Sequence, residues 1–193
     1  TSRTGLRLRT GYRITEELRQ NWQYSIKRSK IDDVSTTAAA LIQAELGTKY
    51  ISEISHTIKY DHRDSRLNPT EGYFSSLRTD IAGLGGHAKH LRNTLKGAYY
   101  YPVSDDWILQ IGGKTGYIFE LDKDIGFQER YFIGGDDVRG FATAGVGPRD
   151  APTKDALGGE WMYTGTVMLN FPLGLPEEFE IKGRIFTDFG SSG

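Results

Sequence analysis

The chain has 193 residues, enough for one ordinary domain, and its 24 basic and 25 acidic side chains nearly cancel. That balance gives no overall charge argument for nucleic acid or an acidic substrate. The lack of any cysteine excludes a disulfide framework, a thiol nucleophile and a cysteine metal site.

Period-two alternation begins at once. Leu6, Leu8, Tyr12 and Ile14 oppose Arg7, Arg9 and Arg13. Trp22, Tyr24 and Ile26 oppose Gln23, Ser25 and Lys27. A long connection follows, in which "TTAAALIQAELG" predicts a surface helix capped by Thr36 or Thr37 and ended by Gly47. Ile54, Ile58 and Tyr60 then oppose Ser55, Lys59 and Asp61. "SRLNPTEG" places Asn68, Pro69 and Gly72 for a type I turn closed by a left-handed glycine.

Tyr73, Leu77 and Ile81 oppose Arg78 and Asp80, and Leu91, Leu95, Tyr99 and Tyr101 oppose Arg92, Thr94 and Lys96. Trp107, Leu109, Ile111, Tyr117 and Phe119 oppose Gln110 and Lys114. The segment Leu121–Gly158 has no sustained periodicity and reads as a long loop. Beyond it, Trp161–Phe171 and Phe179–Gly190 alternate again. In the last of these, Glu180, Lys182, Arg184, Phe186 and Asp188 share a face. This makes about eight strands, each near the 9–11 residues that a tilted membrane strand needs.

A soluble antiparallel domain also alternates, and a mean hydropathy of −0.48 is compatible with one. A transmembrane barrel averages polar too, because every second residue faces its lumen. No apolar run reaches the roughly 18 residues of a spanning helix. Two features favour the barrel. Aromatics gather near strand ends: Trp107, Tyr117, Phe119, Trp161, Tyr163, Phe171 and the run Tyr99–Tyr101. Connections also alternate, with short "TEE", "VSDD" and "PLGLPEE" at one end and long loops at the other. The chain opens on Thr1, which predicts a processed segment or one cut from a longer protein.

Catalytic chemistry finds little footing. "GGDDVRG" lacks the Gly-Lys-Ser/Thr of a phosphate loop. In "DHRD" the side chains of Asp61 and His62 point to opposite faces of a strand, so the stretch reads as a strand end feeding a turn rather than a metal site. His87 and His90 are expected to be solvated. No enzyme, cofactor or metal is indicated. Arg139 is the residue that stands out. Gly134, Gly135 and Gly140 permit a sharply folded backbone around it, and Phe132, Ile133, Val138 and Phe141 give the loop apolar surface. A loop folded into the lumen would offer its guanidinium fork to a carboxylate, and alternation points Asp188 inward as the leading partner.

"VRGF" (Val138–Phe141), with "YFIGG" before it and "GVGPRD" after it, resembles the sixth extracellular loop of the BamA family, within the BamA/TamA superfamily. "DSRLNPTEGYFSSLRTDIAG", "LGGEWMYTGTVMLNFPLGLPEE" and "GRIFTDFG" resemble that family's neighbouring segments in the same order, and "FPLGLPEE" is similar to alphaproteobacterial members. The resemblance implies an all-β, transmembrane antiparallel barrel of sixteen strands, of which residues 1–193 supply about eight. Residues 121–158 would be the loop descending into the lumen. POTRA domains and the terminal barrel strands would lie outside the chain.

The implied function is that of the central subunit of the outer-membrane β-barrel assembly machinery, in the bacterial outer membrane. Its implied partners are unfolded outer-membrane proteins, accessory lipoproteins reached through the POTRA domains, and outer-membrane lipid. The implied functional motif is Gly134, Gly135, Val138, Arg139, Gly140 and Phe141, with Phe141 as an apolar anchor. Asp188 matches the family's strand aspartate, and the second partner of Arg139 would fall at Asn170. A two-partner secretion transporter, a TamA-like factor and a soluble β-rich binding module are the alternatives. The number of upstream POTRA repeats separates the first two from BamA.

Overall fold

The computed structural model describes residues 2–122, 125–174 and 181–193. They form one antiparallel sheet with its strands in chain order. The strands are β1 (Ser2–Arg13), β2 (Leu18–Ile31), β3 (Gly47–Arg63), β4 (Gly72–Ala82), β5 (His90–Ser104), β6 (Trp107–Glu120), β7 (Trp161–Pro172) and β8 (Lys182–Ser192). Each pairs only with its neighbours in sequence, so β1 and β8 are open edges and the sheet is an unclosed arc of a barrel.

The register sets the two faces. Leu6 lies opposite Ile26, Ile54 opposite Ile81, Leu77 opposite Leu95, and Leu169 opposite Ile185. These apolar rows meet no second sheet. Leu8 is 58% exposed, Leu95 46% and Ile185 64%. On the other face Ser25, Glu53, Ser55 and Asp80 are buried. A sheet that exposes its apolar rows and buries its charges reverses the arrangement of a water-soluble domain and matches a wall between lipid and a polar lumen. The soluble sandwich is thereby set aside.

Aromatic rings collect at both ends of the outer face. Trp107 stacks on Phe171 and Tyr60 on Tyr73 at the end with short turns. Tyr117 packs on Phe119 and Trp161 on Tyr163 at the end with long loops. Tyr100, in the middle of the predicted aromatic run, instead points inward and is buried. That is what alternation requires between Tyr99 and Tyr101.

Several local expectations are corrected. The helix of the β2–β3 loop, α1, covers only Ala40–Gln43 and receives no cap from Thr36 or Thr37. Its first turn is held from a distance, by the amide of Ala39 donating to Oδ2 of Asp155 (2.8 Å). Gly47 does not end the helix but opens β3 with φ of 103°. The β3–β4 turn does use Gly72, at φ of 93°, yet its organiser is Asp64. That carboxylate accepts from the Thr70 hydroxyl and from the amides of Thr70 and Glu71. His90 is buried rather than solvated, because it begins β5 on the lumenal face. Phe179 and Glu180 of the predicted last strand, and most of the "PLGLPEE" turn, lie outside the described residues.

Candidate functional site: the lumenal loop and its arginine

Between β6 and β7 the chain turns back across the inner face of the sheet. A 3-10 turn, Phe127–Glu129, and isolated bridges Tyr131–Gly159 and Ile133–Val146 give the segment internal order. Ile133 (1% exposed) and Val138 (3%) form its apolar footing. Polar contacts then fix it along the arc. Gln128 accepts from Arg3 of β1 at 3.0 Å, and Tyr131 Oη contacts the Thr94 hydroxyl of β5 at 2.9 Å. Lys114 of β6 reaches Asp137 at 3.4 Å.

Glycine in the wall lets this loop approach. A side chain at Gly116 would collide with the Tyr131 ring, and one at Gly190 would press on Val138 as well as on Tyr163 and Thr164 of the adjacent strand. The loop's own glycines serve its path. Gly134, Gly135 and Gly140 have φ of 128°, 58° and 90°, all in the left-handed half of the map. Gly135 donates to the Phe141 carbonyl at 3.0 Å, closing the turn that presents Arg139.

Arg139 meets Asp188 through a planar two-point contact: Nε to Oδ2 and Nη2 to Oδ1, each 2.7 Å. Its backbone amide also donates to Oδ2, at 3.0 Å. Thr166, directly opposite Asp188 in the β7–β8 register, donates to Oδ1 (2.6 Å) and accepts from Nη2 (2.9 Å). The guanidinium carbon lies 3.5 Å above the centre of the Phe186 ring. The Asp188 carboxylate therefore accepts four hydrogen bonds, holding the cation at its edge while the Phe186 ring covers one of its faces. The hydrogen bond to Asp188 raises the Arg139 pKa above its usual value, outweighing the opposing effect of burial.

The motif residues thus come together with two differences from expectation. The polar partner on the preceding strand is Thr166, not Asn170. Asn170 lies opposite Arg184, four residues and about 14 Å farther along β7. Phe141 is 56% exposed, whereas Val138 is the buried apolar residue of the motif.

A second clasp was not visible in the sequence. Glu45, buried at the end of α1, accepts from the Phe127 amide (3.1 Å) and from Gln128 Nε2 (3.0 Å) and pairs with Lys49 at 2.8 Å. Burial pushes the neighbouring Glu129 carboxyl up, and the Glu45 charge pushes it in the same direction. Glycine interrupting β6 at Gly116 was the available signal for Tyr131. Nothing local marked Glu45 or Asp155.

The match to the Omp85 superfamily domain extends over residues 1–192. The chain belongs to the Omp85 superfamily. Among Omp85-type relatives, BamA of Neorickettsia risticii is 32% identical over 182 residues, 93% of this chain but 24% of that protein. The Sorting and assembly machinery component 50 homolog of Mus musculus is 28% identical over 72% of this chain and 30% of its own length. The crystal structure of BamA from Haemophilus ducreyi lacking POTRA domains 1–3 superimposes with a TM-score of 0.84. It shares 17% identity with this chain, over 98% of this chain and 41% of that one. The chain spans about a quarter to a third of the curated Omp85 relatives named here.

Proposed function

We propose that this chain is part of an outer-membrane barrel that folds and inserts other β-barrel proteins, as the central subunit of an assembly machinery. The observation that carries the reading is the Arg139–Asp188–Thr166 clamp, which pins a lumenal loop to the wall in a chain whose relatives include outer-membrane assembly factors. The 32% identity to a bacterial BamA over nearly the whole chain favours a bacterial outer membrane.

The chemistry is non-covalent. An incoming strand in hydrocarbon leaves backbone groups unpaired, each costing several kcal/mol. A barrel that offers a template edge at a weak seam relieves that cost as the strand enters. The seam strands belong to parts of the barrel outside this segment, and accessory lipoproteins would engage its periplasmic domains. Arg139 serves by holding the loop, and with it the curvature of the wall, in a competent form. The test is Arg139→Ala in the full-length protein, followed by the rate at which a newly made barrel protein becomes heat-modifiable in membranes. Insertion is expected to fall while the mutant barrel itself stays folded; undiminished insertion overturns the role.

A further inference from the structure

The chain's total charge is near zero, but its distribution over the inner wall is not. β1 and β2 together contain no aspartate or glutamate. By alternation and register their lumenal face carries Arg3, Arg7, Arg9, Arg13, Arg19 and Lys27. Arg3 and Arg9 bond glutamines. Arg7, Arg13, Arg19 and Lys27 meet no carboxylate among the described residues.

The nearby acids do not answer these cations. In the β1–β2 turn Glu17 is held by Tyr60 and His62, and the exposed Glu16 forms no ion pair with Arg13 or Arg19 among the described residues. Asp61 is held by Lys59, Arg63 and Arg66. Glu53 and Asp80 are held by Arg78 and Arg92. Glu129 faces the same space, but burial favours its neutral form. Arg13 and Arg19 lie directly opposite each other, a like-charge pair in register, and Nε and Nη2 of Arg19 are buried without a hydrogen-bond partner. Such a pair is destabilising unless an anion answers it. Farther up the wall, Arg3, Arg7, Lys27 and Arg92 line a half-open cavity of about 450 Å³ together with Glu53, bordered by Gln128 and Glu129 of the loop.

From this charge pattern we propose that the inner wall of β1–β2 is a docking surface for an extended acidic polypeptide segment. The spacing favours a chain over a point anion. Arg7 and Arg13 are six residues apart on one face, about 20 Å, which an extended segment matches with carboxylates six residues apart. One carboxylate would sit between Arg13 and Arg19, and another would enter the cavity beside Arg7 and Lys27. Arginine forks suit carboxylates in both places. The inference stands apart from the assembly role, since it needs only an accessible lumen.

The experiment uses the full-length protein in detergent and a fluorescent twelve-residue peptide of alternating Glu and Thr, with a Gln/Thr peptide as its neutral counterpart. Anisotropy should show the acidic peptide binding and the neutral one failing. Arg13→Gln combined with Arg19→Gln should weaken binding about tenfold or more, and added salt should weaken it in the unaltered protein. Lys182→Gln with Arg184→Gln, on the lumenal face of β8, should leave it unchanged. Equal loss in the β8 variant would mean diffuse lumenal charge and would overturn the proposal. Displacement of the peptide by millimolar inorganic phosphate would reassign the surface to simple anions. A β1–β2 variant that lost heat-modifiable migration would show that these arginines are paired within the protein itself, which equally overturns it.

Discussion

Arg139 and Asp188 are joined by three hydrogen bonds, two from the guanidinium and one from the Arg139 amide. The side chain and the backbone of the loop are thus fixed to the same carboxylate, so the contact sets the loop's position and not merely the rotamer of one arginine. Thr166 completes the arrangement by donating to the acid and accepting from the base.

Arg139→Lys keeps the charge but loses the two-point fork, and Asp188→Asn keeps the shape but loses the anion. Each should loosen the loop by about 1–3 kcal/mol. Limited proteolysis of the full-length barrel should show cleavage within residues 134–145 rising in both variants. Cleavage in the double variant should fall well short of the product of the single effects, because one interaction is removed twice.

Thr166→Val removes a hydroxyl that is both donor and acceptor, and should cost loop protection by about 1 kcal/mol. Asn170→Ala should leave the same cleavage unchanged, since Asn170 sits opposite Arg184 and away from the clamp. A reversed order of the two effects would relocate the partner to Asn170.

Gly116→Val should displace Tyr131 without touching Arg139. The new side chain collides with a ring whose hydroxyl bonds Thr94 and the Asn93 carbonyl (3.0 Å). Loop protection should fall near residue 131, and truncating the ring in Gly116→Val/Tyr131→Ala should recover part of it.

Seating of the loop should depend on pH through Glu129. Its carboxyl is raised above the ordinary glutamate value in the folded state, by burial first and by Glu45 second. Docking therefore favours the protonated form. The associated stability is fully present below the unfolded pKa and is lost as pH rises through the higher folded one. Protection of residues 125–133 should decline over that window, once the protease's own pH profile is corrected with an unfolded substrate. Glu129→Gln should flatten the dependence.

The strands were legible because the wall separates two media and each residue must choose one of them. Leu6, Leu77 and Ile185 therefore announce their face without reference to any partner. The pairing of Arg139 with Asp188 could be anticipated for the same reason, since alternation aims Asp188 at the lumen. Contacts that depend on distant register were not legible. Thr166 and Asn170 share a face of β7, and only the alignment with β8 selects between them. α1 is shorter than its sequence pattern suggests: neither threonine caps it, and the amide of Ala39 before it is held by Asp155, 116 residues away. The family resemblance implies Phe141 as the apolar anchor, yet Phe141 is half exposed and Val138, three residues earlier, takes the buried place.

The loop between β6 and β7 touches β1 through Arg3 and β8 through Asp188, the first and last of eight adjacent strands. A segment tied to two strands so far apart along the sheet acts as a chord. It sets how far apart those strands stand and hence how strongly the wall bends. Flattening or tightening the arc must stretch or slacken that chord, so bending of the wall in this sector is coupled to the contacts that hold the loop at Arg3 and at Asp188.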